Sequence, residues 1–331
     1  MLDGLLALLP AELASLIRRL PASVLAGLEE IRIRQGRPLE IGHAGGFAFV
    51  TAAGTVTADP AAGWRPDAGL CARLLERITN HSLYAMEEEL RRGYVTVPGG
   101  HRIGLTGRTV LEGGAVRGLR DIGAFNIRIA REHKGAAARL MPHIADRARR
   151  NVLSTLIVAP PQQGKTTMLR DIIRAVSYGD WPMPEARSWP ARKVGVVDER
   201  SEIAACVRGV PAFDVGPRTD VLDACPKAEG MMMLLRSMSP ELLAVDEIGR
   251  PEDADAIREA AHAGVPVIAT AHAGDLEDAR GRTAIRRLID EGAFAAVVEL
   301  RRRGADTAFR VVRPIPAARE PTRKAGGAGA C

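Results

Sequence analysis

The chain has 331 residues, of which 46% are hydrophobic and 26% charged. This excludes wholesale disorder, a collagen-like repeat and a coiled-coil rod, and at roughly 100–200 residues per domain it predicts two domains. No stretch approaches the roughly 18–20 apolar residues of a membrane helix, so a spanning protein is not expected. The net charge is +6, and the whole excess lies in residues 1–150, where it either favours phosphates and anionic surfaces or is simply solvated arginine.

The chain opens with Met1–Leu20, which carries Asp3, Pro10 and Glu12 and lacks a basic start, so a signal peptide is not expected. Residues 5–20 place Leu9, Leu13, Leu16, Ile17 and Leu20 at helical spacing and predict an amphipathic helix. In Leu28–Ile41, Ile31 and Ile33 alternate with Arg32 and Arg34, which predicts a half-buried strand. Gly36-Arg37-Pro38 then turns into a second strand, and a hairpin over 47–57 follows. Helices are predicted over Asp67–Asn80 and Ser82–Arg92. Strands follow at Tyr94–Val97, His101–Thr106, Val116–Arg120 and Phe125–Ala130. The first part therefore reads as a smaller α+β domain over 1–134. Residues 135–150 read as a charged helix or linker.

The pattern then changes. Thr155–Ala159, Val194–Asp198, Leu242–Asp246 and Val267–Thr270 are short apolar runs ending in polar residues, with helical stretches between them. Strands alternating with helices predict a parallel sheet covered on both faces, with a ligand at the carboxyl ends of the strands. The fold class is therefore α/β, with this domain over 151–316. The tail over 317–331 is Gly, Ala and charge, and is expected to be disordered. Cys71, Cys206, Cys225 and Cys331 form no CxxC pair, so free thiols in a cytosolic chain are the simplest reading.

The strongest chemical signal is LIVAPPQQGKTTMLRD over 156–171. A strand, a loop, Gly164-Lys165-Thr166-Thr167 and a helix form the setting of a P-loop, whose backbone N–H groups cradle phosphate oxygens. Pro161, Gln162, Gln163, Gly164 and Thr167 would line that cradle. Lys165 would reach the β- and γ-phosphates, and Thr166 would ligate Mg2+. The pattern has Gly where this chain has Ala159, so the backbone there must suit a residue with a Cβ.

ELLAVDEIG over 241–249 runs from apolar residues into Asp246, a candidate Mg2+ ligand, and Glu247, a candidate for orienting or deprotonating water. VVDERSEI ends a further strand in Asp198, a candidate metal ligand, and Glu199, a candidate catalytic residue. Arg200 could contact phosphate. The bland alternative is a salt-bridged loop. His272, after the run VIAT, could hydrogen-bond a γ-phosphate or water. Arg218 and Arg236 are candidate arginine fingers or surface charges. Met231–Met233 with Met238 reads as helix core.

EIRIRQGRPLEI, SLYAMEEELRRGYVTVPGGHRIGLTGR, NIRIARE, PPQQGKTTMLRD, DERSEIAACVRGVPAFDVG, RTDVLDACPKAEGMMMLLRSMSPELLAVDEIGR and AGVPVIATAHA occur in this order across most of residues 28–273. Together they resemble the stage III sporulation protein AA family of endospore-forming bacteria. That family is similar in turn to type II and type IV secretion and pilus-retraction ATPases. The resemblance implies a RecA-like P-loop ATPase domain behind a smaller α+β domain, with ATP and Mg2+ as cofactors. Gly164–Thr167, Asp198–Glu199, Asp246–Glu247 and His272 would be its motif residues. Arg102, Arg108, Arg128 and Arg131 would be N-domain arginines directed at nucleotide.

The resemblance also implies a homo-hexamer on the mother-cell side of a channel to the forespore. Membrane contact would be peripheral, through other stage III sporulation membrane proteins. Two other readings are an ATP-switched single-strand nucleic-acid binder and a non-hydrolysing scaffold. Aromatics at 4% argue against the first. Lys165, Asp246 and Glu247 argue against the second.

Overall fold

The chain divides into two units, each with its own seven-stranded sheet. The structure is a computed structural model and describes residues 2–43, 46–79, 91, 93–130, 133–303 and 306–315. All but residue 91 of the expected helix at 82–92, together with Arg131 and the tail, lies outside the described residues.

The first unit spans residues up to 133 together with 204–214. Its helices are α1 (Leu2–Leu8), α2 (Ala11–Arg18), α3 (Ala22–Gly27) and α4 (Ala68–Ile78). The single helix expected over 5–20 is two. Pro10 sits at the N-cap of α2 with ψ 142°, because a ring without an N–H ends one helix and can precede the next. Its strands are β1 (Leu28–Arg34), β2 (Glu40–His43), β3 (Gly46–Val50), β4 (Val56–Thr57), β5 (Tyr94–Val97), β6 (His101–Glu112) and β7 (Ala115–Arg128).

Their spatial order is β4-β3-β2-β1-β7-β6-β5, and every pairing is antiparallel. Leu5, Leu13, Ile17, Leu70 and Leu74 from the helices share one core with Ile31, Ile33, Ile41, Ile103 and Ile127 from the strands. The two strands expected over 116–130 are one, β7. Its register against β6 shifts between Thr106 and Arg108, where a Cβ on Gly107 would stand 2.6 Å from the Arg120 carbonyl oxygen.

Segment 204–214 joins this unit by packing. Ala205 and Phe213 lie against Gly100, whose φ of 74° and lack of a Cβ permit that approach. The chain thus passes between units at 133/134, 203/204 and 214/215.

The second unit begins at Lys134. Residues 135–150, expected as a helix or linker, are packed. They hold the short helix α5 (Met141–Ile144) and strand β8 (Ala145–Asp146), which pairs with β9 (Asn151–Val152). The Asp171 carboxylate accepts from the backbone N–H groups of Gly135 and Ala137, and Ala137, Leu140 and Ile144 are buried.

The main strands are β10 (Thr155–Ala159), β11 (Val194–Asp198), β12 (Thr219–Asp223), β13 (Leu242–Val245), β14 (Val267–His272), β15 (Ala296–Arg303) and β16 (Asp306–Val312). Their order is β12-β11-β13-β14-β10-β15-β16, parallel except for the last pair. The helices are α6 (Lys165–Tyr178), α7 (Lys227–Ser237), α8 (Pro251–His262), α9 (Leu276–Arg280) and α10 (Thr283–Asp290). β10, β11 and β13 are buried along their whole length, which is why they read as unbroken apolar runs. β12, with partly exposed TDVLD, gave no such signal.

Candidate active site

The site gathers at the carboxyl ends of β10, β11, β13 and β14. Ala159 is the last residue of β10, fully buried and in register with His272 of β14. It is extended strand, so its Cβ requires no left-handed backbone. The left-handed residues of the loop are Gln162 (φ 61°) and Gly164 (φ 90°). Gly164 carries no penalty there, whereas a residue with a Cβ costs roughly 1–2 kcal/mol. Pro161 and Gln162 are exposed, and Gln163 and Gly164 are half-buried. Gly164 caps α6, whose first turn holds no acid. The positive end of this 14-residue helix therefore faces the loop.

Lys165 is the first residue of α6 and is buried. Its Nζ donates to the carbonyl oxygens of Ala159 (2.9 Å) and Pro160 (3.0 Å) and to Nδ1 of His272 (3.0 Å). An ammonium has three N–H bonds, so all are engaged. Burial pushes the Lys165 amine below its ordinary 10.5, against the upward pull of Asp246 and Glu247. With Nδ1 of His272 accepting, Nε2 carries the hydrogen and donates to Oε1 of Glu247 at 2.7 Å.

A second chain of contacts crosses the first. Thr166 Oγ1 donates to Oδ2 of Asp246 at 2.7 Å. The other Asp246 oxygen accepts from the Thr270 hydroxyl, and the Thr270 oxygen accepts the Glu247 backbone N–H at 2.8 Å. The Thr270 carbonyl takes the Ile248 N–H, also at 2.8 Å. These bonds hold Glu247 at φ 53°, a conformation rare for a residue with a side chain. The second Glu247 oxygen pairs with Arg200, which is more than half exposed.

Asp198, the expected metal ligand, is the last residue of β11. Asp198 is 2% exposed, and its two oxygens accept from the N–H groups of Glu202 (2.8 Å) and Ile203 (2.9 Å). Arg170 donates to the carbonyls of the same two residues. Together they fix the chain where it leaves for segment 204–214. Glu199 is paired with Lys227, the first residue of α7.

Thr270 and Lys227 are the residues whose roles sequence reasoning missed. A threonine ending a strand and a lysine opening a helix are common, and neither carries a motif. Arg102, Arg108 and Arg128 lie on β6 and β7 of the first unit; Arg102 stacks on Tyr94 at 3.6 Å. Arg218 and Arg236 are exposed. Of the methionines expected as core, Met231 and half-buried Met232 pack inward, while Met233 is 52% exposed and Met238 42%.

The donors suit Mg2+, which takes oxygen ligands and keeps several waters. Thr166 and Asp246 supply a hydroxyl and a carboxylate in contact beside the loop over 160–164. Among the described residues no group of three or more His, Cys, Asp and Glu could hold a metal unaided.

Residues 4–313 match the family described as Sporulation stage III, protein AA. Stage III sporulation protein AA of Bacillus subtilis (strain 168) is 48% identical over 294 residues, 89% of each chain. An uncharacterized protein ycf45 of Porphyra purpurea is 27% identical over 168 residues, 50% of this chain and 28% of that protein. Among solved structures, the Legionella pneumophila ATPase DotB aligns with TM-score 0.56 at 17% identity, covering 86% of this chain and 76% of that one. The pilus retraction motor PilT with bound ADP aligns with TM-score 0.54 at 14% identity, covering 88% and 80%.

The fold is thus that of DotB and PilT, a RecA-like α/β domain preceded by a smaller α+β domain. With the family pattern spanning nearly every described residue, the chain belongs to the sporulation stage III protein AA family.

Proposed function

We propose that the chain is an Mg2+-dependent ATPase of the secretion type, powering assembly of, or transport through, the channel between mother cell and forespore. The observation that carries this reading is the convergence of Lys165, His272 and Glu247 in one hydrogen-bonded chain, beside the Thr166–Asp246 pair. Glu247 held in strained backbone supports it further, since such strain concentrates where geometry serves chemistry.

When ATP binds, Lys165 exchanges its two carbonyl partners for phosphate oxygens. The loop N–H groups and the α6 N-terminus complete the anion site. Thr166 and Asp246 would hold Mg2+, which would neutralise charge on the phosphate oxygens. Arg200 leaves Glu247, whose freed oxygen orients the attacking water and accepts its proton. His272 retains the other oxygen and keeps the carboxylate aimed. Asp198 acts as a positioning residue through residues 202–203, and Glu199 acts through its pair with Lys227.

The assembly is a homo-hexamer in the mother cell, recruited to the membrane by other stage III sporulation proteins. None of the described helices is long and apolar enough to cross a membrane. The test is equilibrium binding of a fluorescent ATP analogue with and without Mg2+. Parent protein is expected to bind. Lys165→Ala is expected to lose about tenfold or more, as befits a lost charge-assisted bond. Equal binding by both proteins rejects the reading.

A further inference from the structure

The second unit carries a groove away from the residues just described. On α7, Glu229, Met232, Met233 and Arg236 recur at helical spacing and form one stripe. On α8, Glu252, Asp255, Ala256 and Glu259 form another. The two stripes line an open groove of about 540 Å³. Its wall from Glu252 to Glu259 is two helical turns, about 10 Å at 1.5 Å per residue.

The base of the groove is apolar, with Met232 half-buried, Ala256 buried and Met233 52% exposed at the lip. Its rim is acidic. Asp255 is paired with Arg258. Among the described residues no cation pairs with Glu229, Glu252 or Glu259. Against these three carboxylates stands one lining cation, Arg236. Like charges gathered around an apolar trough repel one another until a cationic partner arrives. Methionine side chains are unbranched and adaptable, and suit a partner whose apolar residues vary.

We propose that this groove binds a basic amphipathic helix of a partner protein. Apolar side chains on one face of that helix would seat on Met232, Met233 and Ala256, while Lys or Arg on its flanks would meet Glu229, Glu252 and Glu259. Charge decides against a second copy of this chain docking through the same groove. A two-fold contact would set the acidic rim against itself.

The experiment uses the full chain and two fluorescent helical peptides. One is built of leucine and lysine with a single apolar stripe, and the other has every lysine replaced by glutamate. Anisotropy is read at low and high salt. The lysine peptide is expected to bind, more weakly at high salt, and the glutamate peptide is not. Glu252→Lys combined with Glu259→Lys is expected to weaken binding at least about tenfold. Glu229→Lys on the facing helix is expected to weaken it in the same direction.

All three positions are exposed, so thermal unfolding should match the parent and separates lost binding from lost fold. Failure of the lysine peptide to bind overturns the proposal. So does binding unaffected by the charge reversals, or equal binding of the glutamate peptide. A change of oligomeric state in Met233→Lys, read by light scattering, would assign the groove to a second copy and overturn it too.

Discussion

Nδ1 of His272 accepts a hydrogen bond from Nζ of Lys165 at 3.0 Å, and that bond occupies the last free N–H of the ammonium. The same imidazole reaches Glu247 through its other nitrogen at 2.7 Å. One ring therefore connects the residue expected to hold phosphate with the residue expected to handle water.

His272→Ala cuts this connection without removing either end. ATP affinity is expected to stay within about threefold, because Lys165 keeps its charge and the loop its N–H groups. Turnover is expected to fall roughly 10–100-fold, less than the roughly 100–10,000-fold that a general base supplies, because Glu247 itself remains. Steady-state kinetics with a separate binding titration distinguish the two effects. A large loss of affinity with normal turnover would show that His272 serves binding instead.

Thr270→Val keeps the shape and removes one oxygen. Asp246 loses a donor and the Glu247 N–H loses its acceptor. A buried group left unpaired costs about 1–3 kcal/mol, so denaturant unfolding should show that loss. Turnover should fall even where the protein is fully folded, since the backbone at Glu247 is no longer held at φ 53°. Thr270→Ser should restore most of both.

Ala159 departs from the P-loop pattern, yet it ends a strand and is not in left-handed backbone. Ala159→Gly is therefore expected to leave ATP affinity within about twofold. It should lower stability by about 0.5–1 kcal/mol, the usual cost of glycine inside regular structure. A marked gain in affinity would mean the methyl group obstructs the loop.

Burial holds the Lys165 amine below 10.5. Between that lowered value and 10.5 the unfolded chain carries a proton that the folded chain has released. Stability contributed at this position therefore rises with pH across that window. Lys165→Met removes the titration. The variant should be the more stable protein at neutral pH, and the gap should narrow as pH climbs toward 10.5. Thermal unfolding of both proteins across that range checks it. A gap that widens with pH would contradict the assignment.

The sequence was most legible where physics leaves few choices. Four buried parallel strands have to be apolar runs, and β10, β11, β13 and β14 were readable for that reason. The order of strand, GKTT loop and helix was readable because an apolar run, a glycine and a helical period follow one another directly. What was hidden depends on contacts between distant residues. Pro10 divides a pattern that is periodic across it. β12 is too exposed to leave an apolar run. The contacts of the Asp198 carboxylate with the N–H groups of residues 202 and 203 depend on how the chain turns after β11, which no residue pattern signals. Segment 204–214 packs with the first unit although it is embedded in the second, and no local pattern signals that.

In the proposed Mg2+-dependent ATPase, Glu247 performs the hydrolytic step and the protein works as an assembly. The direct measurement is ATP turnover by purified chain against protein concentration, with Glu247→Gln alongside. Turnover is expected to rise cooperatively with concentration. Glu247→Gln is expected to bind ATP as the parent does while losing turnover by about 100-fold or more. Equal turnover in the two proteins, or ATP bound by the parent without hydrolysis at any concentration, would contradict the account.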